Sequence, residues 1–158
     1  MKRYSVLLIL SFFVFFGFGQ KTQKQHMRDA EKVAVTWLGK LNNKQYQDCW
    51  DMFSAQTQNQ TSFEEWNAYF STELMPELGD FISRKYYLAE IEKQIEGFSE
   101  GLYVTIRYHS VYTNTESVEE IILLHLLVNG EWRLLSYFTE YQLKDDYGEE
   151  PKSKLKKR

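Results

Sequence analysis

A single cysteine, Cys49, leaves no partner for a disulfide within the chain, so a fold of this length must hold itself by its core alone. Histidine is almost as scarce. His26, His109 and His125 fall in an N-terminal linker and two strand-like segments with no short ligand spacing, which argues against a metal site, and no cofactor is expected. The sequence also lacks an apolar run of the roughly 20 residues that a membrane-spanning helix requires. Positive charge is missing from most of the chain. Of the 19 Lys and Arg residues, Lys2 and Arg3 precede the main body and five lie in the last seven residues, leaving 12 against all 22 Asp and Glu, a charge of −10. Nucleic-acid affinity comes largely from phosphate neutralisation by Lys and Arg, so a nucleic-acid role for this part is excluded.

What is present at the N-terminus reads as an address. Lys2 and Arg3 are followed by the apolar segment Val6 to Phe18, broken only by Ser11 and Gly17, and then by the small residues of Gly17-Phe18-Gly19. This is the pattern of a secretory signal spanning residues 1–19, with cleavage expected after Gly19 and a periplasmic or secreted product. The alternative is a retained anchor. Gln20 stands where a lipoprotein would carry cysteine. Residues 144–158 read as a disordered basic tail ending in Lys152-Ser-Lys-Leu-Lys-Lys-Arg158, able to make weak peripheral contact with an anionic membrane.

Between these ends two periodicities follow one another. Residues 20–33 are a linker and the start of a first helix, in which Met27, Ala30, Ala34, Trp37, Leu38 and Leu41 share a face. After Asn42-Asn43, Tyr46, Cys49, Trp50 and Phe53 repeat the spacing in a second helix. Gln56 to Thr61 reads as a polar loop. Ser62 and Glu65 then form a capping box for a third helix that buries Phe63, Trp66 and Phe70 and ends near Pro76 and Gly79.

Alternation takes over afterwards, predicting four hairpin-linked strands over Arg84 to Gln94, Leu102 to Thr113, Ser117 to Val128 and Glu131 to Tyr141. Asn129-Gly130 predicts a type I′ turn. Ile121 to Val128 is apolar on both faces, so something should cover its second side. Helices first and strands afterwards predict an α+β domain over 34–143, three N-terminal helices packed on a curved four-stranded antiparallel sheet.

The order of landmarks resembles the DUF4019 family of small bacterial domains. The resemblance runs from Ala34 to Tyr141 through Trp37-Leu38, Tyr46, Cys49-Trp50, Ser62-Phe-Glu-Glu-Trp66, Gly79, Ser83-Arg84, Glu119-Glu120, Gly130-Glu-Trp-Arg133 and Tyr137-Phe138. It implies a cystatin-like or nuclear-transport-factor-2-like cone and assigns no activity.

Few residues offer chemistry, and no catalytic set is assigned. His125 could serve as a general base, but no acid lies beside it at strand spacing, and a packed core or interface histidine accounts for it equally. Arg107 and His109 share a strand face with Tyr103 and could bind a carboxylate. Ser83-Arg84 enters the first strand, from which Arg84 could bind an anion or reach Glu119 or Glu120 across the sheet. Cys49 belongs to an aromatic helical stripe and reads as packing. Tyrosine is too abundant to be hidden completely, which points to an interface on the sheet's outer side with Tyr103, Tyr137 and Tyr141 as candidates. The leading expectation is a non-catalytic binding module, homodimeric through the sheet. The alternatives are an unidentified envelope partner, a small ligand held between helices and sheet, or a small isomerase or dehydratase using that pocket.

Overall fold

A computed structural model describes residues 21–144. The segment 1–19 expected to be a signal and most of the expected basic tail lie outside the described residues. Thr22 caps the first helix, α1 (Gln23–Asn42), accepting from the Gln25 backbone N–H while the Gln25 side chain accepts from its own. This capping box starts the helix early enough to include His26, which packs edge-on against Trp132 and is not in a linker. Ala30, Ala34, Trp37, Leu38 and Leu41 form the buried stripe of α1.

The second helix, α2 (Tyr46–Trp50), is shorter than the apolar spacing predicts. It stops because the chain turns to the last strand. Ser54 donates its backbone N–H to the Leu134 carbonyl, and Leu134 donates to Met52, bridging Phe53 to Leu134. Ser54 then caps a helical turn, α3 (Ala55–Gln58), where a plain loop is expected from the sequence. The predicted Ser62–Glu65 capping box is present and opens α4 (Phe63–Ala68). That helix widens into a π-helical segment (Tyr69–Leu74) before α5 (Met75–Leu78). Pro76 brings no N–H to the ladder, so a plain α-helix cannot continue through it. Trp66 and Phe70 stack at 4.2 Å, tying the widened turn to α4.

Four antiparallel strands, β1 (Phe81–Glu92), β2 (Leu102–Tyr112), β3 (Thr115–Leu126) and β4 (Trp132–Leu143), form one open sheet in sequence order. The domain is therefore α+β, as predicted. Helix α1 lies across the inner face and touches all four strands. Val104, Ile106, Val118, Ile122, Leu124 and Leu134 meet it there, with Trp37, Trp50, Phe53, Trp66 and Phe70 filling the space between. At roughly 1.5–3 kcal/mol for each fully buried large apolar side chain, this aromatic mass supplies what a disulfide might otherwise contribute.

Two local expectations change. The β3–β4 connection is not a type I′ turn, because Gly130 alone among its residues has positive φ, at 85°. Gly130 donates its N–H to Leu127 and Leu127 donates to Glu131, giving a three-residue loop with one left-handed residue. On the outer side of β3, no helix covers Ile121 and Leu123 among the described residues; both stay half-buried.

Gly79 ends α5 at φ 82°, and a Cβ there would sit 2.1 Å from Thr113 Oγ1. Gly79→Ala combines a disfavoured backbone with a clash at the β2–β3 turn. It is expected to lower the unfolding free energy by about 1–3 kcal/mol or more in urea denaturation; an unchanged midpoint would refute the constraint.

Candidate functional site

Position 120 follows the inner-face alternation of Val118 and Ile122, yet it is an acid, and its side chain is fully buried. A carboxylate without water needs an opposite charge and several donors. The sheet supplies both by register. Arg84 lies opposite Ser110, and Tyr108 lies opposite Glu120, so consecutive inner-face positions of β1, β2 and β3 converge. The Arg84 guanidinium holds the carboxylate two-pronged, Nε on one oxygen and a terminal nitrogen on the other at 2.9 Å. Ser110 also donates its hydroxyl to Glu120. Tyr112 donates from 2.9 Å and Tyr137, on β4, from 2.7 Å.

The same network reaches α1 through Asn42, whose side-chain oxygen lies 3.3 Å from the Tyr112 hydroxyl. Phe81 covers the Arg84 guanidinium at 4.7 Å, a cation–π contact that closes its outer flank. Burial pulls the Arg84 pKa down, but the hydrogen bonds and charge of Glu120 outweigh it, and the net shift is upward. Burial and the same carboxylate push the Tyr112 and Tyr137 hydroxyls up as well. Every donor here stays protonated at neutral pH. The group is a satisfied structural pair, with neither a poised base nor a free acid.

Beside it opens a groove of about 380 Å³ between the end of α1, the π-helical segment and the start of β1. Asn42, Lys44, Tyr46, Ser71, Asp80 and Phe81 are among its walls. Lys44 sits at φ 59°, a left-handed conformation unusual for a side-chain-bearing residue. The groove meets the ion pair only through Asn42 and Phe81.

The residues singled out from sequence do not converge. Of the candidate pocket or anion-binding residues, Arg84 alone joins the carboxylate network. Ser83 is exposed, opposite Val111 on the outer face. Arg107 pairs with Glu119 at 2.9 Å. His109 is exposed beneath Tyr87, ring centroids 4.5 Å apart. His125 stacks on Tyr103 at 4.6 Å, and a Cβ on Gly101 would lie 2.6 Å from its Nε2, so the imidazole is covered rather than aimed into a pocket. Burial lowers its pKa, keeping it neutral. Of the tyrosines proposed for an interface, Tyr103 is buried on the outer side against Phe98 and His125. Tyr137 points inward to Glu120, and Tyr141 donates to Glu77 at 2.8 Å. The exposed large apolar side chains lie elsewhere, at Phe81, Ile82, Tyr86, Tyr87 and Leu88 of β1 and singly at Val35 of α1, Val128 of the β3–β4 loop and Phe138. Cys49 is buried, its thiol donating toward the Trp37 carbonyl while the Trp37 indole donates to the Cys49 carbonyl.

The family described as protein of unknown function (DUF4019) matches residues 33–137. No curated protein and no solved structure matches.

Glu120→Gln would leave a buried guanidinium without a counter-charge and is expected to cost about 3–5 kcal/mol of stability. Arg84→Met combined with it should recover part of that loss; equal stability of Glu120→Gln and wild type in urea would show that the pair pins nothing. Burial also raises the Cys49 thiol from 9.0 to about 12. The folded state then keeps a proton that the unfolded chain releases, and the raised tyrosines act in the same direction. This stability is complete below about pH 9 and is lost as pH rises towards 12. Folded protein should accordingly leave a disulfide thiol reagent unreacted at pH 8 and react once unfolded; rapid labelling of native protein would contradict the packing.

Proposed function

The chain belongs to the DUF4019 family, whose description assigns no reaction, and we propose that it works as a non-catalytic interaction module that associates through its sheet, with a second copy as partner. One observation carries this reading. Ile82, Tyr86, Tyr87 and Leu88, 40–59 % exposed, lie along β1, an edge strand that pairs only with β2 among the described residues, and apolar exposure of this kind marks contact surfaces. Supporting it from the other side, the interior between helices and sheet is filled by Trp and Phe, and the buried acid spends its capacity on Arg84, Ser110, Tyr112 and Tyr137.

The proposal includes the address and the finer fold. We infer that the protein acts outside the cytoplasm, on the strength of Lys2, Arg3 and the apolar segment after them. We also infer that α1, α2 and the run from α4 through the π-helical segment to α5 act as the three helices of a cone akin to cystatin-like or nuclear-transport-factor-2-like folds. That kinship is supported by a long N-terminal helix crossing one face of a four-stranded meander.

A second reading, a small-ligand binder, is favoured by the groove beside Asn42. Its walls offer Lys44 and Asp80 together with Tyr46 and Phe81, a mixture suited to a small polar molecule with an apolar part.

Native mass spectrometry of protein purified from its own envelope, with sedimentation at high micromolar concentration, separates these readings. A ligand-free dimer is expected. Monomer alone at that concentration would overturn self-association, and monomer carrying a stoichiometric small molecule would replace it with the second reading.

A further inference from the structure

Side chains along β1 do not alternate uniformly, and the irregularity restricts what the strand can pair with. After a first irregularity between Phe81 and Ser83, the order is regular to Tyr86: Arg84 and Tyr86 face inward, to Glu120 and Tyr108, while Ser83 and Lys85 face outward. A bulge then falls between Tyr86 and Leu88. Tyr87 rests on outward-facing His109, and Leu88 lies opposite outward-facing Arg107, so two consecutive side chains share the outer face. Beyond the bulge the parity is reversed. Ala89 and Ile91 pack against the core, leaving Glu90 and Glu92 outward.

We propose that two copies join their sheets edge to edge by antiparallel pairing of β1 with β1, the twofold axis passing between Tyr87 and Leu88. This rests on the reading of the chain as a self-associating sheet module and specifies the surface and register used. Residues opposite one another in an antiparallel pair project to the same face. With the axis in this place that condition holds along the strand. Arg84 meets Ile91 and Tyr86 meets Ala89 on the inner side; Tyr87 meets Leu88, Lys85 meets Glu90 and Ser83 meets Glu92 on the outer side. A slip of two residues sets outward Leu88 against inward Ala89, or inward Tyr86 against outward Tyr87. A slip of one residue mismatches the flanking positions.

Charge selects the same register. Neither Lys85 nor Glu90 has an ion pair among the described residues, and both are exposed. The twofold brings each Lys85 opposite the Glu90 of the other copy, so the contact forms twice. Tyr86, Tyr87 and Leu88 lie at its centre, where apolar area is covered most completely. A lysine and a bulge commonly discourage pairing at a sheet edge. Here they reject the shifted registers and leave one that satisfies face, charge and apolar cover together.

The test is sedimentation of the full chain carrying Lys85→Glu, Glu90→Lys, or both. Each single change puts like charges opposite one another twice and should weaken dimerisation roughly tenfold; the double exchange should restore it to within about threefold. These positions are exposed, and circular dichroism checks that each variant is folded. In addition, mixing Lys85→Cys with Glu90→Cys protein should give a disulfide-linked heterodimer that neither forms alone. Wild-type dimerisation in both single variants, or a double variant no stronger than the singles, overturns the edge pairing. A dimer insensitive to these changes but broken by Leu123→Glu on the outer face overturns it while leaving sheet-mediated association intact. Monomer throughout overturns both.

Discussion

A carboxylate withdrawn from water costs several kcal/mol unless its charge and lone pairs are answered, and Glu120, on β3, is answered from the other three strands. Arg84 comes from β1, Ser110 and Tyr112 from β2, and Tyr137 from β4, with Asn42 linking the group to the end of α1. Apolar contacts tolerate small slides; a bidentate ion pair ringed by hydroxyls does not. The pair therefore fixes strand register at one point for the whole sheet and fixes where the C-terminal end of α1 meets it. The aromatic cluster of Trp37, Phe70 and Tyr137 packs next to that anchor, Tyr137 belonging to both.

That anchor also engages the polar groups that the interior would otherwise offer to a ligand. Catalytic groups need an unmet donor or acceptor, or a proton affinity set near the working pH. The oxygens of Glu120 are engaged by Arg84, Ser110, Tyr112 and Tyr137, and burial holds the two tyrosine hydroxyls on the protonated side. Reactivity is no better served at Cys49, whose thiol is buried and pushed up to about 12 by that burial. What the fold leaves open to its surroundings is a groove at one end of the sheet and an apolar strand at one edge.

Much of the architecture was legible because it depends on local spacing. The stripe from Ala30 to Leu41 and the Ser62–Glu65 cap are short-range patterns, and the structure contains both. The buried pair was only half legible. Arg84 could be seen as able to reach Glu119 or Glu120, and Glu120 shares parity with Val118 and Ile122, which is a usable signal for an inward acid. Tyr112 and Tyr137 could not be assigned to it, since their placement depends on strand register, including a slip near Leu123 and Leu124. The same limit applies to the tyrosine surface. Tyr103, Tyr137 and Tyr141 resemble Tyr86 and Tyr87 in local sequence, and only the bulge and the position of β1 at the edge separate exposed from buried. At Asn129-Gly130 the residue pair was right and the turn type wrong, because a single left-handed glycine suffices in a three-residue loop.

Helix α1 touches every strand, and the segment after α2 hydrogen-bonds directly to Leu134 of the last one. During synthesis this has a consequence of timing. The first helix emerges with its stripe of Ala30, Ala34, Trp37, Leu38 and Leu41 uncovered, about 90 residues before the strand that carries Leu134 and Tyr137. Each hairpin can form as it appears, since neighbours in the sheet are neighbours in the chain. The core cannot close, nor Glu120 obtain its last donor, until β4 has been made. Local hairpins can therefore precede the core, whose closure on α1 waits for the last strand.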